Sequence, residues 1–111
     1  MSIASDLIRG STDIIILAHL MKKDSYGYEI NKSISEITNG QYELKEATLY
    51  TAFRRLEEMG MIVSYWGDEN SGARRRYYKI TDIGQSYYKE SKAEWKNAQI
   101  LISKLIKLGE I

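Results

Sequence analysis

The 111-residue chain contains no cysteine, no proline and a single histidine, and its charges almost cancel. The absence of cysteine excludes a disulfide framework, a thiol nucleophile and a cysteine-ligated zinc, and it fits a reducing, cytoplasmic compartment. A single histidine, His19, argues against a metal site, and no cofactor is expected. Long apolar runs are missing too. The stretch "MSIASDLIRG" is too short in its apolar part and too acidic for a secretion signal, and "DIIILAHLM" is far below membrane-spanning length. A soluble protein with no membrane partner is therefore expected. Sixteen Lys and Arg against fifteen Asp and Glu give a formal net charge of +1, so bulk charge announces no nucleic-acid partner. A claim of that kind has to rest on where the charges sit. At this length one domain with one main task is expected.

In "STDIIILAHLM", residues 11–21, Ile14, Leu17, Ala18 and Met21 recur at helical spacing, which predicts a first, largely buried helix. "KKDSYG" interrupts the pattern and Ser25 is a candidate cap. Ile30, Ile34 and Ile37 then repeat as far as "TNG", where Gly40 is a candidate left-handed stop. In "EATLYTAFRRLEEMG", residues 46–60, Leu49, Phe53 and Leu56 share one sector, flanked by Ala52 and Met59, and Gly60 closes the helix. At roughly 100° per residue, Ala47, Thr51 and Arg54 lie opposite that sector with Tyr50 beside them. Two short helices with a brief polar link, the second carrying a chemically selected outer face, read as a helix-turn-helix.

"MIVSYW" and "RRRYYKI" are β-prone runs around the turn-forming "GDENSGA", which predicts a hairpin with one of Tyr77 and Tyr78 in the core. A last helix starts at a Thr81 cap and runs to about Leu108 with no interior glycine after Gly84. The expected fold is mainly α (α+β): a winged helix-turn-helix over residues 1–80 and a long C-terminal dimerisation helix over 81–111, forming one compact unit.

The outer face of the third helix has the vocabulary of base reading. Arginine pairs with guanine, hydroxyls bond either partner, and small apolar groups meet the thymine methyl, which suits Arg54, Thr51 and Ala47. Thr48, Tyr50 and Lys45, with the helical N–H groups, suit phosphate oxygens. In isolation Arg74, Arg75 and Arg76 would read as charges protecting a sheet edge. Directly after a helix-turn-helix they read as a DNA-contacting wing, with one or two pointing outward. On the last helix Tyr88, Ser91, Trp95, Ala98, Ile102 and Leu105 follow alternating steps of three and four, a helix-pair seam widened by Leu101 and Leu108. A second copy is the expected cover; the alternative is that the helix folds back on its own domain. By spacing alone Trp95 is packing, although two copies meeting near a twofold axis could frame a slot for a planar molecule.

An enzyme would have to be built from Glu57, Glu58, Asp68, Glu69 and His19. These read as a solvated acidic patch, a turn and a satisfied helix residue, and no nucleophile with a base or glycine-rich phosphate loop is present. No catalysis is expected. From another class, the competing reading is a winged-helix protein-protein interaction module without sequence-specific DNA binding.

Taken together, "YGYEI", "ATLYTAFRRLEEMGMI", "SGARRRYYKIT" and "DIG", in this order and spacing, resemble the PadR family of bacterial transcriptional regulators, from about Leu7 to Ile106. "EATLYT", "SYWGDE" and the lone tryptophan of the last helix are similar to the short form with one C-terminal helix, of the lactococcal multidrug-binding type. The resemblance implies a homodimeric repressor on a palindromic operator, with DNA affinity modulated by a planar aromatic small molecule held between paired tryptophans in a central pore. Carried over by position, Trp95 is that tryptophan, lined by Leu7, Gly10, Asp13 and Ile14 from the first helix and by Lys92, Lys96 and Gln99 from the last. Ala47 and Thr51 stand where the wider family often has glycine and proline, a choice shared with the short multidrug type. Gln99 replaces an acidic pore residue and Lys92 an aromatic one, and Asp13 offers a compensating charge.

Overall fold

A computed structural model describes residues 3–67 and 74–111, with side chains from Asp6 onward. The expected "GDENSGA" turn, with Asp68 and Glu69, falls from residue 68 to 73 outside the described residues. The elements run α1 (Ile3–Arg9), α2 (Thr12–Lys22), α3 (Gly27–Ile37), α4 (Glu46–Glu58), β1 (Ile62–Trp66), β2 (Arg76–Ile80) and α5 (Asp82–Ile106), with a closing 3-10 turn at Lys107–Glu110. The seven-residue α1 is not among the expected helices, being too short to show a repeating stripe.

The buried side of α2 is Thr12, Ile16, Leu17 and Leu20, turned from the expected stripe of Ile14, Leu17, Ala18 and Met21. The helix is apolar on more than one side, so periodicity could not choose among its faces. Its one buried hydroxyl, Thr12, is satisfied by donating to the Arg9 carbonyl at 2.8 Å. Ser25 does not cap α3. Its hydroxyl donates to Glu29 Oε1 at 2.6 Å, while its backbone forms a single antiparallel bridge with Tyr78, at 3.2 and 2.7 Å. The chain is extended there, and the bridge satisfies backbone groups that would otherwise be buried unpaired. Ile30 and Ile34 are buried but Ile37 is 72% exposed, so the inward stripe of α3 ends one turn early. Asn39 and Gly40 (φ 54° and 78°) and Gly60 (φ 73°) end α3 and α4 in the left-handed region, as expected for Gly40.

Asn31 sets the link between α3 and α4 by bonding both ways to Leu44: Nδ2 donates to the carbonyl at 2.7 Å and Oδ1 accepts from the N–H at 2.8 Å. On α4 Leu49, Ala52, Phe53 and Leu56 are buried as the spacing predicts, and Met59 is exposed. Phe53 stacks on Tyr78 at 3.9 Å with planes 13° apart, which identifies Tyr78 as the core tyrosine of the hairpin. The two strands pair antiparallel from Ile62 opposite Ile80 to Trp66 opposite Arg76. Helix-turn-helix, bridge strand and hairpin make the expected winged helix.

Thr81 caps α5: its hydroxyl oxygen accepts from Gly84 N at 3.1 Å and donates to the Gly60 carbonyl at 2.7 Å. The first half of α5 lies on the domain, with Tyr87 and Tyr88 packed against the core. From Lys92 onward every residue is exposed, including Leu101 at 50%, Ile102 at 49% and Leu105 at 74%. The helix does not fold back to cover this side.

Candidate nucleic-acid interface and the groove behind it

The Asn31 clamp and the burial of Leu49 and Phe53 decide which side of α4 faces out. Ala47, Tyr50, Thr51 and Arg54 are exposed together, with Lys45 exposed just before the helix. No side chain caps the first turn of α4. Arg54 has no hydrogen bond or ion pair among the described residues. Tyr50 meets Phe53 edge-on at 5.7 Å, and a Cβ on Gly27 would come within 2.9 Å of its hydroxyl. The ring of Tyr50 therefore lies close against the start of α3. Thr48 is half-buried and lines, with Lys45 and Arg9, a separate groove beside the α3–α4 link.

The three wing arginines divide by role. Arg76 bonds Ser64 Oγ at 2.9 Å and pairs with Glu57 Oε1 at 3.5 Å, while Ser64 donates to Glu57 Oε2 at 3.0 Å. It faces α4 and ties the hairpin to it. Arg75 lies 4.8 Å over the ring of Tyr26 and Arg74 lies 5.5 Å over Trp66. Tyr26 meets Tyr77 edge-on at 5.3 Å, and Tyr77 stacks on Tyr65 at 5.6 Å. Tyr65 donates to Asp24 Oδ2 at 2.6 Å, and this bond pushes its phenol up to about 12. The aromatic column props the wing against the start of α3. Tyr26, Tyr28, Tyr50 and Arg74–Arg76 line one groove of about 300 Å³, so the outer face of α4 and the wing arginines adjoin. Tyr26 and Tyr28 are not expected in it from the sequence, where "YGYEI" is a motif without an assigned role.

A second groove, of about 370 Å³, lies between α2, α4 and α5. It brings together Gly10, Asp13, Ile14 and Trp95 as the resemblance implied, although Gly10 lies between α1 and α2 rather than on one first helix. Leu7 meets Ile14 and Trp95 in an adjoining groove of about 210 Å³. Lys92, Lys96 and Gln99 are exposed elsewhere on α5 and line neither space. Arg55, Tyr87 and Glu94 line the larger groove and had no expected role there. Arg55 donates to both oxygens of Asp13, through Nε at 3.1 Å and through a terminal nitrogen, so the Asp13 charge is matched within the chain. That hydrogen bond raises the Arg55 guanidinium above its ordinary value.

Of the seam residues, Tyr88 is half-buried against its own core, whereas Trp95, Ala98, Leu101, Ile102 and Leu105 are exposed. His19 is satisfied, with Nδ1 2.9 Å from the Ile15 carbonyl and Nε2 2.9 Å from Ser33 Oγ. Among the described residues no acidic or histidine cluster could hold a metal ion, and no helix is long and apolar enough to cross a membrane.

Comparison with known proteins gives a consistent result. The model of the transcriptional regulator PadR-like family matches residues 16–90. Uncharacterized protein X of Lysinibacillus sphaericus is 46% identical over 100 residues, covering 90% of this chain and 92% of its own. The structure of a transcriptional regulator from Clostridium thermocellum superposes with a TM-score of 0.85 at 50% identity, over 93% of this chain and 97% of that one. A PadR family transcription regulator from Clostridium difficile R20291 superposes with a TM-score of 0.76 at 38% identity, over 86% and 98%. A winged helix with an exposed arginine-bearing α4, matched over most of its length by such regulators, belongs to the PadR-like family of transcriptional regulators, DNA-binding proteins rather than enzymes.

Proposed function

We propose that this chain is a homodimeric repressor that binds a palindromic operator and loses DNA affinity when a planar aromatic molecule enters the groove beside Trp95. The observation that carries the DNA part is the shared groove of Tyr50 and the wing arginines beside the exposed face of α4. A helix in the major groove and a basic wing on the flanking backbone need that adjacency. Residues 1–80 are the DNA-binding part, and 81–111 join two copies through the uncovered side of α5. The experiment is a gel shift with the DNA upstream of the protein's own gene. Absence of a shifted species, with a folded dimer, would return the fold to the protein-interaction reading.

If Arg54 reads a base, Arg54→Ala is expected to cost about 1–3 kcal/mol on the cognate operator and to relax preference at one position per half-site. Arg75→Ala is expected to weaken all DNA alike and to flatten the salt dependence by about one unit for each phosphate it no longer neutralises. Titrations of cognate and random duplexes at several salt concentrations separate the two. Equal losses for Arg54→Ala on both duplexes would remove its base-reading role.

Trp95 carries the ligand part. It lines both grooves on this side of α2, with Tyr87 in the larger one. A planar ring stacked there gains about 0.5–1.5 kcal/mol per aromatic pair beyond the buried area. Trp95→Ala is expected to weaken binding of planar dyes and remove most of the fluorescence quenching, while Trp66 goes on emitting. The same variant should bind the operator normally but release it less readily on adding dye, since a ligand acts only through its preference between two states. Dye affinities equal to wild type would return Trp95 to a packing role.

A further inference from the structure

The groove of Trp95 and the helix of Arg54 are joined by one ion pair. Asp13 stands in the first turn of α2 and Arg55 in the last turn of α4, each placed where its helix dipole favours its charge. The guanidinium grips both carboxylate oxygens, which fixes direction as well as distance. Both side chains line the groove that holds Trp95, and Arg55 and Asp13 are 46% and 26% exposed, so an entering molecule reaches them. Among the residues lining that groove Arg55 is the one drawn from α4; the others belong to α1, α2, α5 or the turn at Gly10 and Ser11. Arg9, the other cation there, is held by Asp6 at 3.1 Å. Arg55 directly follows Arg54, so a shift of one along α4 carries the other.

We propose that the Asp13–Arg55 pair is a latch through which occupancy of the Trp95 groove reaches the DNA-facing side of α4. With the pair closed, α4 is tied to α2 in the setting that suits the operator. A planar molecule seated against Trp95 displaces the carboxylate from the guanidinium, α4 loses this tie, and Arg54 leaves its base. Arg55 is a positioning residue here and does not touch DNA. The inference rests on the ligand reading given above.

The test uses the full chain, the operator identified by gel shift, and lumichrome, a neutral planar tricycle that charge does not draw to DNA. In wild type, saturating lumichrome is expected to weaken operator binding by about 5–150-fold. Arg55→Gln and Asp13→Asn are each expected to show that weakened operator affinity without dye and to lose little more when dye is added. Both should bind lumichrome more tightly than wild type, because no ion pair has to open, and the double variant should match either single one. A merely structural loss would weaken both ligands, and a direct hold of Arg55 on phosphate would weaken DNA while leaving dye binding and Asp13→Asn unchanged; either result overturns the latch. Dye-driven release that persists undiminished in Arg55→Gln overturns the latch alone, whereas a wild type that fails to bind lumichrome or the operator overturns the latch together with the reading beneath it. Should Arg55→Gln not fold, Arg55→Lys keeps the charge without the two-pronged grip. Reduced coupling in that variant supports the latch, and wild-type coupling overturns it.

Discussion

Leu101→Glu combined with Leu105→Glu is expected to turn the proposed homodimer into a folded monomer whose operator affinity is lower by about 10²–10⁴-fold. Both side chains are at least half exposed within one chain, so the substitutions leave the packing of the monomer undisturbed. In a pair of α5 helices the same positions would be covered, and burying unpaired carboxylates there opposes association. The loss on DNA follows because two half-sites held by one dimer reinforce each other, and a monomer engages only one. Light scattering, the circular dichroism spectrum and gel shifts test the three parts of the expectation. A double variant that stays dimeric with its operator affinity intact would show that α5 does not join the copies. Truncation after Glu90 should abolish tight operator binding too, but it also removes Trp95 from α1 and α2, so the glutamate pair is the cleaner experiment.

A second large effect is expected in stability, from a single methyl group. A Cβ on Gly84 would lie 2.1 Å from the Met61 carbonyl oxygen and 2.7 Å from Ile80 Cγ1. The Met61 carbonyl is also fixed, since it accepts from Thr81 N at 3.0 Å. The first turn of α5 would have to lift off the hairpin, stretching the Thr81 bonds to Gly60 and Gly84. Overpacking of this kind typically costs about 1–3 kcal/mol, and the upper end is expected where backbone rather than a flexible side chain is struck. For a domain near this size that corresponds to roughly 10–20 °C in Tm. Gly10→Ala is the control, because its Cβ would meet nothing closer than 3.7 Å. Thermal unfolding at matched protein concentration compares the two, and a Gly84→Ala midpoint within a few degrees of wild type would contradict the close approach.

Where a helix has one apolar face, the spacing of residues is sufficient. Leu49, Phe53 and Leu56 put Ala47, Thr51 and Arg54 on the outside, and the Thr81 cap marks the start of α5. Where a helix is apolar on several sides, as α2 is, the periodic signal cannot orient it, and it assigns Ile14 to the core side instead of the groove. Residue type alone also cannot separate Arg54 from Arg55, or Arg75 from Arg76. The rotation of one residue sends Arg55 to Asp13, 42 positions away, and the alternation of the strand sends Arg76 to Glu57. Such partners are set by tertiary packing, which periodicity does not report. Ser25 reads as a cap because the short polar segment before α3 looks like a turn, whereas its backbone completes a bridge to β2.

The tie from Arg76 to Glu57 and Ser64 has a consequence for the duplex. Helix and wing are braced together, by this network at one end of the hairpin and by the tyrosine column along it. In the proposed complex helix and wing then dock as one body, so a mismatch in their spacing is met by the DNA, through bending or a change of groove width. Base steps between those met by α4 and those met by the wing, touched by neither, are then expected to influence affinity through their own stiffness.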